Sequence, residues 1–251
     1  MTMRTFIIFL QLTAILYGQD AKQIAAESQR RQNVKSQKYQ GVLQVIDAKG
    51  KTTEKSWDTE RAGSWGTSKL IIRFTAPAEV KGVALFVVNH PDRASDQWMW
   101  IPSIGRDRRV ALQDRKTRFF GTDFSFEDLE ERDVEQFDWN MMGEEPVDGA
   151  PCWKIESRPK KSRASQYSSN TLWIRKDNYV AARIESFAKE RLVRKLFYKN
   201  IEQVQGIWTA RLLEMHDMKR RSRTMLTLDK LTFNAPVKEE NFTVQALRRE
   251  Q

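Results

Sequence analysis

The chain has 251 residues, a formal net charge of +10 and one cysteine. A single cysteine excludes an internal disulfide, so a hydrophobic core has to stabilise the fold. The two histidines, His90 and His216, form no metal-binding pair, and we expect neither a metal nor another cofactor. His90-Pro91-Asp92, followed by Asp96, is typical of a polar turn, although its oxygens could also collect around a hard cation.

Residues 1–18 have the pattern of a secretory signal peptide. Arg4 makes the start positive, and an apolar run extends from Phe6 to Tyr17. This run is shorter than the roughly 20 residues of a transmembrane helix. We expect cleavage after Gly18 and export to a bacterial periplasm, with an uncleaved N-terminal anchor as the alternative. The only cysteine, Cys152, lies far from this segment, so the protein is not expected to be a lipoprotein itself.

The positive charge limits the kinds of partner. An excess of basic residues is common in nucleic-acid-binding proteins. An exported protein rarely meets nucleic acid, however, so we expect no nucleic-acid partner here. Anionic lipid head groups or cell-envelope polymers are partners of suitable charge. A solvated basic surface without a partner is equally consistent, because Lys and Arg are spread over most segments.

Residues 20–37 are predicted to form a helix, because they contain good helix formers and neither Gly nor Pro. Ile24, Ala25 and Val34 give this helix only a narrow apolar stripe. Such a stripe suits a helix that lies along a barrel mouth. A frayed N-terminal helix is the alternative.

The pattern changes to alternation with period two from Tyr39 to Phe233, which indicates β-strands. Strands are predicted at 41–46, 52–61, 70–74, 83–88, 98–101, 108–112, 152–157, 166–175, 180–187, 192–198, 207–215 and 223–233, with a weak last strand at 242–247. Short strands without intervening helices favour antiparallel pairing. We interpret residues 142–151 as a hairpin connection, so residues 19–251 form a single β domain.

The strand predicted at 223–233 carries apolar residues on both faces. Met225, Leu231 and Phe233 share one face by alternation, while Leu226 and Leu228 share the other. The strand is therefore expected to be covered on both sides or to line a cavity.

Residues 125–132 are predicted to form the one internal helix. Ser125 and Asp128 have the spacing of a capping box, and the acidic residues that follow Ser125 favour a helix start. Phe124 and Leu129 are candidates for a hydrophobic staple. The carboxylates near Ser125 also suggest a hydrolase, but a catalytic triad needs a base, and neither histidine is close in sequence. No catalytic residue is assigned.

A motif-dense stretch runs from Phe74 to Leu129. It contains Phe74-x-x-Pro77-x-x-x-x-Gly82, His90-Pro91-Asp92 and the aromatic and basic segment 96–129. This stretch resembles the LolA-like family of outer membrane lipoprotein-sorting proteins. The resemblance implies an all-β fold, an open and curved antiparallel β-barrel, with a helical lid over an apolar cavity that holds acyl chains in the best-known relatives.

The resemblance implies a monomeric, non-enzymatic periplasmic carrier of lipids or lipoproteins. It would act in outer-membrane lipoprotein sorting or envelope lipid trafficking, beside an envelope transporter or acceptor protein. A lipid hydrolase that uses the same cavity is the alternative. The candidate cavity and lid residues are Trp98, Trp100, Phe119, Phe120, Phe124, Phe126 and Leu129, and the candidate contacts for a head group or acidic partner are Arg106, Arg108 and Arg109.

On this hypothesis residues 125–132 are the lid, the two tryptophans line the wall, and the arginines face the mouth. The alternative is that the helix only plugs one barrel end and that the arginines are solvated.

Overall fold

The computed structural model describes residues 20–249, so the predicted signal peptide lies outside the described residues. Thirteen β-strands form one continuous sheet. In chain order they are β1 (Ser36–Ile46), β2 (Thr52–Ala62), β3 (Lys69–Ala76), β4 (Ala84–Val88), β5 (Asp96–Ile101), β6 (Arg106–Arg109), β7 (Phe137–Glu144), β8 (Cys152–Pro159), β9 (Ser169–Arg175), β10 (Ala181–Ala188), β11 (Arg191–Val204), β12 (Ile207–Asp217) and β13 (Ser222–Phe233).

The sheet is antiparallel throughout, and most neighbours are consecutive in the chain. Its spatial order is β6-β5-β4-β3-β2-β1-β13-β12-β11-β10-β9-β8-β7. The pairing of β1 with β13 joins the early and late strands, while β6 and β7 remain as the two edges. The sheet is curved and not closed. The predicted fold class, an open antiparallel all-β barrel with minor helices, is confirmed.

The two faces of the sheet are covered by different parts of the chain. Residues directly opposite each other on paired strands share a face, so the pairs Leu43–Leu226 and Leu85–Met99 place these four side chains together. We call this the inner face. It is covered by α1 and by residues 110–136, which connect β6 to β7 and are called the inner loop. The opposite side is the outer face.

The helix α1 spans Ala21–Arg31 and is shorter than predicted, because Ser36 already belongs to β1. Asp20 begins it by accepting a hydrogen bond from the backbone of Lys22. Ile24 is fully buried against Ile155 and neighbouring residues of the inner face. Within residues 20–249, no helix is both long and apolar enough to cross a membrane.

The strand β13 differs from its predicted alternation. A bulge lies at Lys230, whose φ is +48°, and the register with β1 shifts at the same place. The extra residue turns Leu231 onto the same face as Leu228. Leu226 and Leu228 before the bulge and Leu231 and Phe233 after it are therefore all buried in the inner core. Met225 alone of the five lies half-buried on the outer face, so the predicted division of these residues between two apolar faces is wrong.

Two further predictions of secondary structure need correction, and one strand was not predicted. Residues 125–132 contain only a short 3-10 turn, Glu127–Leu129, instead of a helix. Residues 242–247 form no strand; the 3-10 turns Glu239–Asn241 and Gln245–Arg248 lie in a C-terminal segment on the outer face. The strand β7 was not predicted, whereas the hairpin connection between it and β8 is confirmed.

Candidate functional site

Five of the predicted apolar residues come together on the inner face. Phe119, Phe120, Phe124, Phe126 and Leu129 all belong to the inner loop and pack against the core of β1–β5. The ring of Phe119 is the centre of this group: its centroid lies 5.3 Å from that of Phe74 and 5.4 Å from that of Phe126. These residues cover the inner face of one half of the sheet, where they form part of the hydrophobic core.

The two tryptophans lie elsewhere. In β5, Met99 faces inward opposite Leu85, so the alternating Trp98 and Trp100 face outward. Trp98 stacks on Phe86 with ring centroids 5.8 Å apart, and the C-terminal segment covers this part of the outer face. The hypothesis that Trp98 and Trp100 line one cavity with the phenylalanines is therefore wrong.

The three candidate arginines lie on the edge strand β6, and all are exposed. Arg108 forms an ion pair with Asp114 at 3.2 Å, and Arg109 forms one with Asp96. Arg106 forms no ion pair within the described part of the chain. None of the three contributes to the cavity described next.

A cavity of about 240 Å³ lies between α1 and the inner face of strands β7–β12. We call it the inner cavity. Its floor is apolar, and its lining from the sheet comprises Phe137, Trp139, Ser157, Leu172, Ile174, Val180, Ala181, Ile184, Leu196, Tyr198 and Met215. The roof is α1, and one wall is formed by Asp128 and residues 130–132 of the inner loop. The site thus combines an apolar floor with a helix and a charged wall.

Gln29 fastens α1 to the inner loop. Its side-chain amide donates a hydrogen bond to the carbonyl oxygen of Arg132, and its side-chain oxygen accepts one from the backbone N–H of Val134 at 3.2 Å. The Trp65 indole donates to the Gln29 carbonyl at 3.0 Å. Gln29 therefore ties the roof of the inner cavity to two parts of the chain, and the Ser28 hydroxyl ties it to a third by donating to the Tyr179 carbonyl at 2.7 Å.

The wall of the cavity is held by buried ion pairs. Glu130 lies between Arg115 and Arg163, at 3.1 and 3.3 Å, and all three side chains are almost inaccessible to solvent. Burial raises the pKa of Glu130, although the two arginines oppose this shift. Glu131 pairs with Arg61 of β2.

Asp128 is also held in place by polar side chains. Its carboxylate accepts hydrogen bonds from the Ser125 hydroxyl at 2.6 Å and from the Tyr167 hydroxyl at 2.7 Å, and Arg194 lies 3.5 Å away. Burial is the main reason that the pKa of Tyr167 is well above its usual value. These partners draw the acidic residues inward, which explains why residues 125–132 do not form a solvated helix.

The surroundings of Ser125 indicate a structural role for this residue. It is fully buried, and besides Asp128 its hydroxyl accepts a hydrogen bond from Gln166 at 2.8 Å. The described histidines pair elsewhere: His90 with Asp96 at 2.9 Å and His216 with Glu214 at 2.7 Å. The predicted Ser125–Asp128 contact is present as a turn-forming pair.

Tyr198 places a polar group in the apolar part of the cavity. Burial raises the pKa of its hydroxyl, and no hydrogen bond to that hydroxyl is present among residues 20–249. Sequence reasoning did not single out Tyr198 or its neighbour on the floor, Leu196. Their positions two residues apart in β11, flanked by Lys195 and Lys199, were the available signal that they share one face of the sheet.

A family model described as "Uncharacterized protein" matches residues 66–249, which is most of the chain. The chain belongs to this family. No curated protein sequence matches it.

Solved structures show the same fold. A DUF1329 family protein from Desulfovibrio piger has 27% identity and a TM-score of 0.87, over 90% of this chain and 97% of that one. A putative outer membrane lipoprotein-sorting protein domain from Vibrio parahaemolyticus has 23% identity and a TM-score of 0.86, over 91% and 98%. A LolA superfamily protein from Nitrosomonas europaea has 17% identity and a TM-score of 0.72, over 91% and 100%. The resemblance to the LolA-like fold is confirmed.

Proposed function

We propose that this protein is a non-enzymatic periplasmic carrier that binds the acyl chains of lipids or lipoproteins in the inner cavity. It would act in outer-membrane lipoprotein sorting or in envelope lipid trafficking. The observation that carries this proposal is the cavity itself, an apolar floor on the inner face of an open sheet beneath a helix. The LolA-like fold supports the same assignment.

The inner cavity is too small for a long acyl chain unless it opens. Its volume of about 240 Å³ is below the roughly 300 Å³ at which sites for drug-sized ligands begin. A long acyl chain needs more room, so α1 would move outward from the sheet as the chain enters. This movement breaks the hydrogen bonds of Gln29 and the bond from the Ser28 hydroxyl to the Tyr179 carbonyl, and it exposes the buried Ile24.

Reversible binding is feasible because the free energy gained by burying the acyl chain is partly offset by the cost of moving α1. Burial of each methylene is worth about 0.8 kcal/mol, so eight methylenes contribute roughly 6 kcal/mol. Breaking the hydrogen bonds of α1 opposes this gain by about 1 kcal/mol each. A carrier needs such an opposing cost, because tight binding alone would prevent release.

The direct experiment is mass spectrometry of organic extracts from the purified protein, together with uptake of a fluorescent acyl probe. Leu196→Trp adds bulk to the cavity floor and should abolish both signals. Leu112→Trp makes the same change at a leucine that is 53% exposed and should leave both unchanged.

Equal uptake by both variants, each still folded, would refute the cavity assignment. Release of free fatty acid from a supplied phospholipid would instead favour the alternative, an envelope lipid hydrolase.

A further inference from the structure

The turn between β12 and β13 presents an apolar side chain followed by three positive ones. Met218, Lys219, Arg220 and Arg221 are all exposed, and no carboxylate interrupts them. The Met218 residue is 41% exposed and the Arg220 side chain 59%. We call residues 218–221 the basic tip.

The basic tip has a fixed backbone. The Asp217 carboxylate accepts hydrogen bonds from the backbone N–H groups of Lys219 at 3.1 Å and Arg220 at 2.9 Å. The Arg221 N–H donates to the Asp217 carbonyl at 2.9 Å. Asp217 is itself buried and lies 3.5 Å from Arg194. The turn therefore needs little ordering when it meets a partner, which lowers the entropic cost of binding.

Neighbouring turns extend the positive charge along one rim of the sheet. The pairing of Ile46 with Arg223 places the β1–β2 turn beside the basic tip, and this turn carries exposed Lys49 and Lys51 against the single carboxylate of Asp47. On the other side of the tip the β10–β11 turn carries exposed Lys189 and Glu190, and exposed Arg191 begins β11, so this turn adds a net charge of one positive.

The opposite rim is different. There the β7–β8 turn carries the carboxylates Glu145 and Asp148, and the β11–β12 turn is uncharged. The excess of positive charge along the first rim is therefore a feature of one end of the molecule.

A cleft of about 430 Å³ separates the basic tip from the β1–β2 turn. Arg221 and Arg223 line one side together with Asp217, and Asp47, Ala48 and Gly50 line the other. The carboxylates of Asp47 and Asp217 are bound to backbone N–H groups of their own turns, and Arg223 lies 3.9 Å from Glu214. Guanidinium groups bind phosphate oxygens through charge-assisted, often paired hydrogen bonds. The small residues opposite leave room for a phosphate group to approach.

We propose that this rim docks the protein on the surface of an anionic lipid bilayer. In this arrangement Arg221 and Arg223 contact lipid phosphates, while Lys219 and Arg220 lie in the negative potential of the surface. Met218 inserts at the boundary of the acyl chains.

The exposed methionine favours a membrane over a nucleic acid or an acidic protein, because its burial among lipids adds a favourable apolar term. The site is separate from the inner cavity and does not depend on the ligand of that cavity.

The test is co-sedimentation of the full chain with vesicles of phosphatidylcholine, alone or mixed with phosphatidylglycerol. The protein should bind the mixed vesicles preferentially, and added salt should weaken binding. Lys219→Gln, Arg220→Gln and Arg221→Asn together should lower the partition coefficient about 100-fold, because each cation near an anionic surface contributes about fivefold. Adding Met218→Ser to these three changes should lower the partition coefficient further at high salt, where burial of apolar surface dominates the binding free energy.

The matched control removes the same charge away from the basic tip, by Lys35→Gln and Lys176→Gln at the opposite rim and Lys238→Gln in the C-terminal segment on the outer face. All variants share residues 1–19, so any membrane affinity of that segment cancels. Equal losses in the tip and control variants would contradict the proposal, as would equal binding of the original protein to both kinds of vesicle. Lys219→Gln with Arg220→Gln leaves Arg221 and its positive φ unchanged, and should still cause about a 30-fold loss.

Discussion

The indole ring of Trp57 lies directly against the backbone of Gly41, its partner on the neighbouring strand. A Cβ atom on Gly41 would lie 2.1 Å from the Trp57 ring nitrogen, a distance that two non-bonded atoms cannot adopt. Trp57 is fully buried, and its ring centroid lies 5.5 Å from that of Phe74. Gly41 thus makes room for the largest side chain of the inner core.

Gly41→Ala is expected to destabilise the protein by about 1–3 kcal/mol, the usual cost of overpacking a core. Urea unfolding followed by tryptophan fluorescence measures the change. Val42→Ala is the control, because the adjacent Val42 is 43% exposed. A loss no larger than that of the control would show that Trp57 can move aside freely.

Alternation in the sequence was sufficient to predict most strands but not their orientation. It shows that Trp98 and Trp100 share one face and Met99 the other, yet it does not say which face is inner. The answer depends on the distant C-terminal segment that covers the tryptophans. Similarly, the bulge at Lys230 depends on pairing with β1 and leaves no clear local pattern.

The acidic residues after Ser125 show a second limit. Locally they favour a helix start, and the Ser125–Asp128 contact of that prediction is present. Four arginines distant in sequence bind these carboxylates instead: Arg61, Arg115, Arg163 and Arg194. Buried ion pairs of this kind are tertiary interactions, and a local pattern cannot reveal them. The inner cavity was missed for the same reason, since it forms between α1 and strands distant in the chain.

Glu130→Gln should be strongly destabilising, because it removes the charge that compensates Arg115 and Arg163. Breaking a buried pair on one side typically costs about 3–5 kcal/mol. The urea midpoint measures the effect, and Glu135→Gln, in the exposed pair with Lys22, should leave that midpoint unchanged. Similar midpoints for the two variants would contradict a structural role for the buried pair.

The Asp96 carboxylate should make stability depend on acid pH. Hydrogen bonds from Arg93, and also from Arg109 and His90, hold its pKa well below the usual range. A depressed pKa stabilises the folded state above the ordinary value of about 4, and this contribution is lost as the pH falls toward the folded-state pKa. The difference in unfolding free energy between the original protein and Asp96→Asn should therefore be constant above about pH 5 and shrink below pH 4. A difference independent of pH would exclude this interpretation.

Gln29→Ala should loosen the roof of the inner cavity. It removes two hydrogen bonds between α1 and the inner loop, each worth about 1 kcal/mol, so opening should become at least about tenfold faster. Stopped-flow uptake of an acyl probe and hydrogen exchange in Ala21–Arg31 both report this opening. Arg30→Ala removes an ion pair with Glu27 on the solvent side of the same helix and serves as the control. If both variants accelerate uptake equally, Gln29 has no special role in closure.

Photo-crosslinking with a diazirine-labelled fatty acid tests the central claim most directly, because it identifies the residues that surround the chain. Labelling is expected at Leu172, Ile184 and Leu196 on the floor of the inner cavity, and Leu196→Trp should remove it. Labelling confined to the outer face around Trp98 and Trp100, or unchanged in Leu196→Trp, would contradict the proposal that the inner cavity carries lipid.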